Sequence, residues 1–408
     1  MKVADMDRLS LYRSLARPSD SRILYYVIDG LGGLRQAPGA PTELEAAATP
    51  TLDRLADEGS TGLITPVAPG VAPGSGPGHL ALFGFDPLET TVGRGVLAAL
   101  GVGFELQTGD VAARINFCSL DGDGNVIDRR AGRIGSEIGA PLAQRLDGID
   151  LGGGVECIVR HVKEYRACVV FRGAGLDGRI ADTDPQATGV PPLAPRVLDD
   201  AAAATVDLAT TFIERAGELL ADQDKANGVL LRGFDSYHPL PSFADLYGVR
   251  PAAVAAYPMY RGVARAVGMA VFDAEDTLES RVELTRAALE EHDFLFVHFK
   301  ATDSRGEDGD FDAKVQQVEI ADESLAALLE LGFDVVMVTG DHSTPATYKA
   351  HSWHPVPALI WGPHCRANAA NDGFGETACL SGALGSIRGM DLLPLVLAQA
   401  GRLGKFGA

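Results

Sequence analysis

The 408-residue sequence predicts an α/β fold: a central, mostly parallel sheet flanked by helices, with a smaller α+β domain inserted into it. Three observations lead there. Short apolar runs rich in β-branched and aromatic residues alternate with helical patterns, the middle of the chain changes to alternating polarity and turn-forming clusters, and the length exceeds what one hydrophobic core usually serves.

The apolar runs are Ile23 to Ile28, Phe294 to Phe299, Val335 to Thr339 and Val356 to Trp361, each stopped by polar or turn-forming residues. Their continuity fits strands covered on both faces, as in a parallel sheet. Thr49 and Pro50 read as the N-cap and first position of a helix. In the middle, Asp110 to Leu120 alternates, Asp121-Gly122-Asp123-Gly124-Asn125 carries turn chemistry, and Asp182 to Pro195 is loop-rich. Ala201 to Ala204 reads as the start of a helix. The expected division is a discontinuous domain of residues 1–103 and 253–408, with 104–252 as the insertion.

Composition narrows the function. Apolar residues at 46% and charged residues at 22% are ordinary for a globular chain. The balance of 35 Lys+Arg against 55 Asp+Glu, a formal charge of -20, disfavours nucleic acid and anionic membrane as partners. A small anionic substrate stays compatible, because a local arginine cluster inverts the field within a cleft. Five widely spaced cysteines without a CxxC pair suggest neither a disulfide framework nor a thiolate zinc site. With no secretory pattern in Met1 to Leu15 and no apolar run of about 18 residues, the expected location is cytoplasmic. No oligomeric state is assigned.

Chemistry gathers where the apolar runs end. Ile28 runs into Asp29, Phe299 into Lys300-Ala301-Thr302-Asp303, and Thr339 into Gly340-Asp341-His342-Ser343. In open α/β sheets ligands bind outside the carboxyl ends of the strands, so these side chains should converge. A single Asp-His pair could be a turn bonded to its own backbone, but three such ends together point to a site. Carboxylate and imidazole both suit divalent transition metals, and two ions would use all of them.

A nucleophile candidate lies in Pro73-Gly74-Ser75-Gly76-Pro77-Gly78-His79, where a Gly/Pro loop delivers Ser75 to the start of a helical pattern. The positive end of a helix favours an anion there. Alone, Ser75 could equally be an N-cap. Prolines at 73 and 77 set the segment apart from the Gly-x-Ser-x-Gly elbow of hydrolases.

These residues resemble the alkaline-phosphatase superfamily and, within it, the archaeal-type cofactor-independent phosphoglycerate mutases. The resemblance runs nearly end to end. It rests on Asp29-Gly30-Leu31-Gly32-Gly33, Thr49-Pro50-Thr51-Leu52-Asp53, Pro73-Gly74-Ser75 with Gly78-His79-Leu80, Asp128-Arg129-Arg130-Ala131-Gly132-Arg133, Asp303 to Gly309, and Gly340-Asp341-His342-Ser343-Thr344-Pro345. It implies an alkaline-phosphatase-like sheet, with Asp29, Ser75, Asp341 and His342 around one metal. A second would take Asp303, residue 307 and His351. Relatives most often have histidine at the position held here by Glu307, and the oxygen ligand shifts the expected preference towards Mn2+, with Mg2+, Zn2+ or Co2+ also suitable. His354, where relatives often have aspartate, is a further candidate ligand or phosphate contact.

The implied reaction interconverts 3-phosphoglycerate and 2-phosphoglycerate through a phosphoserine at Ser75, without 2,3-bisphosphoglycerate, as in glycolysis and gluconeogenesis. Arginine forks suit the doubly anionic substrate, and candidates are Arg114, Arg129, Arg130, Arg133, Arg166, Arg232 and Arg261. The resemblance places the glycerate in the inserted domain and brings Lys300 and Asp182 near the cleft. Alternatives are another metal-dependent phosphomutase or phosphatase of the superfamily, and a non-catalytic metal-binding relative.

Overall fold

The computed structural model describes residues 7–369 and 373–407. In chain order the strands are β1 (Ile23–Ile28), β2 (Ser60–Thr65), β3 (Val111–Leu120), β4 (Val126–Asp128), β5 (Glu156–Lys163), β6 (Arg166–Arg172) and β7 (Gly228–Ser236). They continue with β8 (Pro251–Ala255), β9 (Ala270–Asp273), β10 (Phe294–Phe299), β11 (Val335–Thr339), β12 (Val356–Trp361) and β13 (Gly385–Arg388). The chain divides into two compact units, Met1–Thr91 with Pro241–Ala408, and Val92–Leu240.

In the first unit an eight-stranded sheet has the order β13-β2-β12-β11-β1-β10-β8-β9. The expected mostly parallel sheet is present, and the four apolar runs are its strands β1, β10, β11 and β12. Every residue of β1, β10 and β11 is buried, as continuous runs with helices on both sides require. Pairing departs from parallel at β12, which is antiparallel to β11 and β2. Residues 340–355 between β11 and β12 hold no helix, so no crossover returns the chain to its starting end, and it comes back in the opposite direction. Tyr25 and Tyr26 satisfy their buried hydroxyls by donating to the carbonyls of Leu82 and Ala321, at 2.5 and 3.1 Å.

The unit boundaries differ from the expected 104–252. The helix Arg94–Gly101 lies against the β3 backbone, where a Cβ at Gly95 would stand 2.3 Å from the Ala112 carbonyl oxygen, so this helix belongs to the second unit. At the other end β8 pairs with β10, Pro251 opposite Phe294, which places residues before 252 in the large sheet. Thr49 does precede the helix Pro50–Glu58, but its side chain makes no capping hydrogen bond.

The second unit is a five-stranded antiparallel sheet in which β3 pairs with β4, β6 and β7. One face holds Val111, Ala113, Ile115 and Phe117, packed with Phe171 and Phe212 in a buried core. Period-two alternation puts Arg114 and Asn116 on the other face, where Arg114 stands opposite Arg232 and Asn116 opposite Arg166.

Back in the first unit, the helix Ala301–Asp308 lies so close to the segment after β11 that a Cβ at Gly306 would stand 2.0 Å from the Thr344 carbonyl oxygen. Helix propensity alone favours alanine there. Gly306→Ala should nevertheless destabilise the protein by about 1–3 kcal/mol through overpacking, seen as a lower urea midpoint.

Candidate metal centre

Asp29 follows β1, Asp303 lies in the first turn of the helix after β10, and Asp341 and His342 follow β11. Because these three strands are neighbours and parallel, their carboxyl ends share one edge, and all four side chains are buried there. Two groups result. Asp29, Asp341 and His342 present ligand atoms within 4.8 Å of one another, and so do Asp303, His342 and His351.

Ser75 enters the first group. It is the first residue of the helix Ser75–Leu82, with Gly74 rather than Ser75 as its N-cap, so its hydroxyl is not spent on capping. Its Oγ stands 3.2 Å from His342 Nε2. His79, one turn on, is fully buried, donates from Nδ1 to the Ser75 carbonyl at 2.8 Å and faces Asp341 Oδ2 at 3.2 Å.

The hydrogen bonds assign the imidazole protons. Thr344 Oγ1 donates to Asp303 Oδ1 at 2.7 Å and therefore accepts from His342 Nδ1 at 2.9 Å. His351 Nδ1 must likewise donate, because its partner at 2.8 Å is the Pro73 carbonyl. His342 Nε2 then points a lone pair at carboxylates, 3.4 Å from Asp29 Oδ1 and 3.2 Å from Asp341 Oδ2. His351 Nε2 is 3.4 Å from Asp303 Oδ1. Burial pushes His342 down to about 4, so it is neutral at pH 7 and does not itself neutralise the acids.

Acceptor facing acceptor inside a protein is unfavourable without a cation between them. Asp29 Oδ1 and Asp341 Oδ2 are buried and accept no hydrogen bond. Burial, then the Asp341 charge, raises the Asp29 carboxyl well above the usual range, a strain that a cation would relieve. Nitrogen and oxygen ligands about 2.1 Å from a shared ion stand roughly 3.4 Å apart in a tetrahedral arrangement. The donor set therefore fits a divalent metal.

Lys300 joins the two groups, with Nζ 3.2 Å from Asp29 Oδ2 and hydrogen-bonded to Asp303. Burial opposes its charge, but Asp29 and Asp303 outweigh it and push the ammonium above the usual lysine range. Asp303 is also desolvated, yet the charge of Lys300 and its hydrogen bond hold it well below the usual carboxylate range.

Glu307 lies at the rim, with its side chain 56% exposed and Oε1 3.8 Å from His351 Nε2. His354 falls outside both groups; its Nδ1 faces Ser352 Oγ at 3.0 Å and its ring stacks on Trp353. Arg261 is on the helix Pro258–Ala266, ion-paired to Asp273 at 2.8 Å.

The remaining candidates belong to the second unit. Arg129 grips Asp184 with two hydrogen bonds of 2.7 and 2.8 Å, and Arg232 reaches Asp184 at 3.2 Å and Asp182 at 3.5 Å. Arg166 pairs with Glu164 at 2.9 Å. Arg130 and Arg133 are exposed, in a turn where Ala131, Gly132 and Arg133 all have positive φ. Arg114 and Arg232 face each other across the ladder, with the Asp182 and Asp184 carboxylates beside Arg232.

Sequence reasoning missed several members of this centre. Tyr260 donates its hydroxyl to Asp29 Oδ2 and stacks on His298 at 3.6 Å, and His298 Nε2 is 3.5 Å from the same oxygen. A histidine inside the apolar run of β10 was the available signal. Thr344 lies in a motif whose spacing gives it no role, and Lys314 sits at helical spacing among apolar residues.

A family model described as 2,3-bisphosphoglycerate-independent phosphoglycerate mutase matches residues 56–225. The chain is 48% identical over 407 residues to a Thermus thermophilus protein named "Probable 2,3-bisphosphoglycerate-independent phosphoglycerate mutase", covering 99% of this chain and 100% of that one. A Deinococcus radiodurans protein of the same name is 46% identical, with 98% and 100% covered. Among solved structures, a Pyrococcus horikoshii protein superposes with a TM-score of 0.82 at 30% identity, covering 96% of this chain and 100% of that one. The cofactor-independent phosphoglycerate mutase of Thermoplasma acidophilum gives 0.68 at 28% identity, over 93% and 100%.

The buried histidines set an acid limit for the metal-free protein. His342, at about 4, and His298, lowered chiefly by burial, both lie below the free histidine value of 6.5. The unfolded chain therefore takes up protons first, and stability is lost as pH falls from 6.5 towards 4. Chelated protein should lose about 1.4 kcal/mol per pH unit for each histidine held neutral. Urea titrations at pH 6.5 and 5 should show the loss, and His342→Gln should reduce its slope.

Proposed function

Because the chain belongs to the family of 2,3-bisphosphoglycerate-independent phosphoglycerate mutases, we propose that it interconverts 3-phosphoglycerate and 2-phosphoglycerate through a phosphoserine formed at Ser75 beside two divalent cations. The observation that carries the reading is the uncapped Ser75 hydroxyl, 3.2 Å from the same His342 nitrogen that faces Asp29 and Asp341.

Asp29, Ser75, Asp341 and His342 would hold one ion, and Asp303, Glu307 and His351 the other. Bound there, divalent ions supply Lewis-acid charge that favours the ionised serine and offsets charge on the phosphoryl oxygens. Ser75 Oγ attacks phosphorus, a new Oγ–P bond forms and the bond to the C3 oxygen of glycerate breaks. The C2 hydroxyl oxygen then attacks the phosphoserine, releasing Ser75 and giving 2-phosphoglycerate. Backbone N–H groups at the start of the helix Ser75–Leu82 favour the phosphoryl anion. Lys300, charged between Asp29 and Asp303, offers a proton to the departing C3 oxygen and recovers one from the C2 hydroxyl as that oxygen attacks the phosphoserine.

Within the second unit, Arg114 and Arg232, which oppose each other on the polar face of the sheet, are the candidate forks for an anionic group. Arg129 and Asp182 brace that set through Asp184 and Arg232. Arg130, Arg133 and Arg166 are further contacts, whereas Arg261 would first have to release Asp273. Exclusion of water from the phosphoserine separates a mutase from a phosphatase.

Phosphorus NMR tests the reading directly. Manganese-loaded protein given 3-phosphoglycerate without 2,3-bisphosphoglycerate should form 2-phosphoglycerate and no free phosphate. Phosphate alone would make the enzyme a phosphatase, and neither product would defeat the proposal. Ser75→Ala should abolish turnover while leaving the thermal midpoint close to that of wild type. Glu307→Ala should lower affinity for the second Mn2+ by at least about tenfold in calorimetry without loss of fold, since the side chain is largely exposed.

A further inference from the structure

The helix Phe311–Leu329 buries a stripe made of Lys314, Val318, Ala321, Leu325 and Leu328. A lysine in such a stripe would ordinarily destabilise the fold, and burial lowers its ammonium below the usual lysine range. Lys314 has no exposed surface, yet its Nζ donates to two backbone carbonyls, Gly32 at 2.9 Å and Thr344 at 2.8 Å. These belong to the segments after β1 and β11, which carry Asp29 and the Asp341–His342 pair.

One buried and one half-buried acid, Glu43 and Glu376, complete the arrangement. Glu43 accepts from the backbone N–H groups of Leu34 at 3.0 Å and Ala346 at 2.7 Å. Glu376 accepts from the Gly33 N–H at 2.7 Å and the Thr42 hydroxyl at 2.5 Å. Lys314 and Glu43 thus each tie the two segments together and Glu376 holds the first of them, while the Thr344 N–H donates to the Gly32 carbonyl at 3.0 Å. Packing admits little slack: a Cβ at Gly30 would lie 2.6 Å from Thr344 Oγ1.

We propose that Lys314 is a positioning residue for the metal centre: by tying the Gly32 and Thr344 carbonyls together it places Thr344 Oγ1 where that oxygen fixes His342 as its Nδ1–H tautomer and orients Asp303. The proposal deepens the metal-dependent reading above and rests on it. It assigns work to a residue distant from the reacting atoms, transmitted by two backbone carbonyls and one hydroxyl. Neither a generic core contact nor a substrate contact would act on the histidine tautomer.

The test compares Lys314→Met, which keeps the chain length and removes the donors, with Thr344→Val and the double variant. In chelated protein, nitrogen NMR of the histidine rings should show wild-type His342 protonated at Nδ1 and a mixture of tautomers in Lys314→Met. Calorimetric Mn2+ affinity should fall about tenfold, with kcat reduced and KM for 3-phosphoglycerate retained. The double variant should lose no more affinity than Thr344→Val alone, because both act through one hydroxyl. If Lys314→Met lowers only the thermal midpoint, leaving tautomer and Mn2+ affinity as in wild type, the lysine is merely structural and the proposal fails. Should the methionine variant not fold, Lys314→Gln, which replaces the ammonium with a shorter, neutral amide donor, is read by the same signals. The tautomer is measured without metal, so it decides the role of Lys314 even if wild-type protein takes up no Mn2+, a result that would defeat the metal reading alone.

Discussion

The constraint on which the centre depends is electrostatic: three carboxylates and two imidazole nitrogens are brought to one edge of a sheet with too few protons to reconcile them. Asp29 and Asp341 face the unprotonated nitrogen of His342, and Lys300, Tyr260 and Thr344 donate into that concentration of acceptors without satisfying all of it. A fold keeps such an arrangement only if the rest of the structure holds it or a ligand completes it. Here the parallel strands deliver the groups, and the buried interior fixes the segments that carry them.

That division of labour explains which parts could be read from sequence. Asp29, Asp303, Asp341 and His342 were legible because each follows an apolar run, and the carboxyl ends of neighbouring parallel strands must meet. Ser75 was legible because the Gly/Pro segment before it is stiff and the residues after it turn helical. Lys314 announced itself only faintly, as a cation at helical spacing among apolar residues, and nothing local reveals that its partners are backbone carbonyls. Tyr260 and His298 meet Asp29 from separate elements, so no spacing encodes their encounter.

The fold shows the same limit. Four strands were recoverable from continuous apolar runs, but β8 begins with proline followed by alanines, and β13 is largely exposed. The direction of β12 depends on the absence of a crossover helix before it. The helix Arg94–Gly101 could have belonged to either unit on composition, and only its contact with the β3 backbone assigns it to the second.

Position 307 stands apart from every other candidate ligand in being on the rim, more than half exposed, whereas Asp29, Asp303, Asp341 and His342 are almost wholly enclosed. A substitution there disturbs no buried hydrogen bond of the surrounding network. On the proposed reading, this is where one codon change could retune ion preference while the scaffold stays intact, so adaptation to a different supply of metals would begin at that residue.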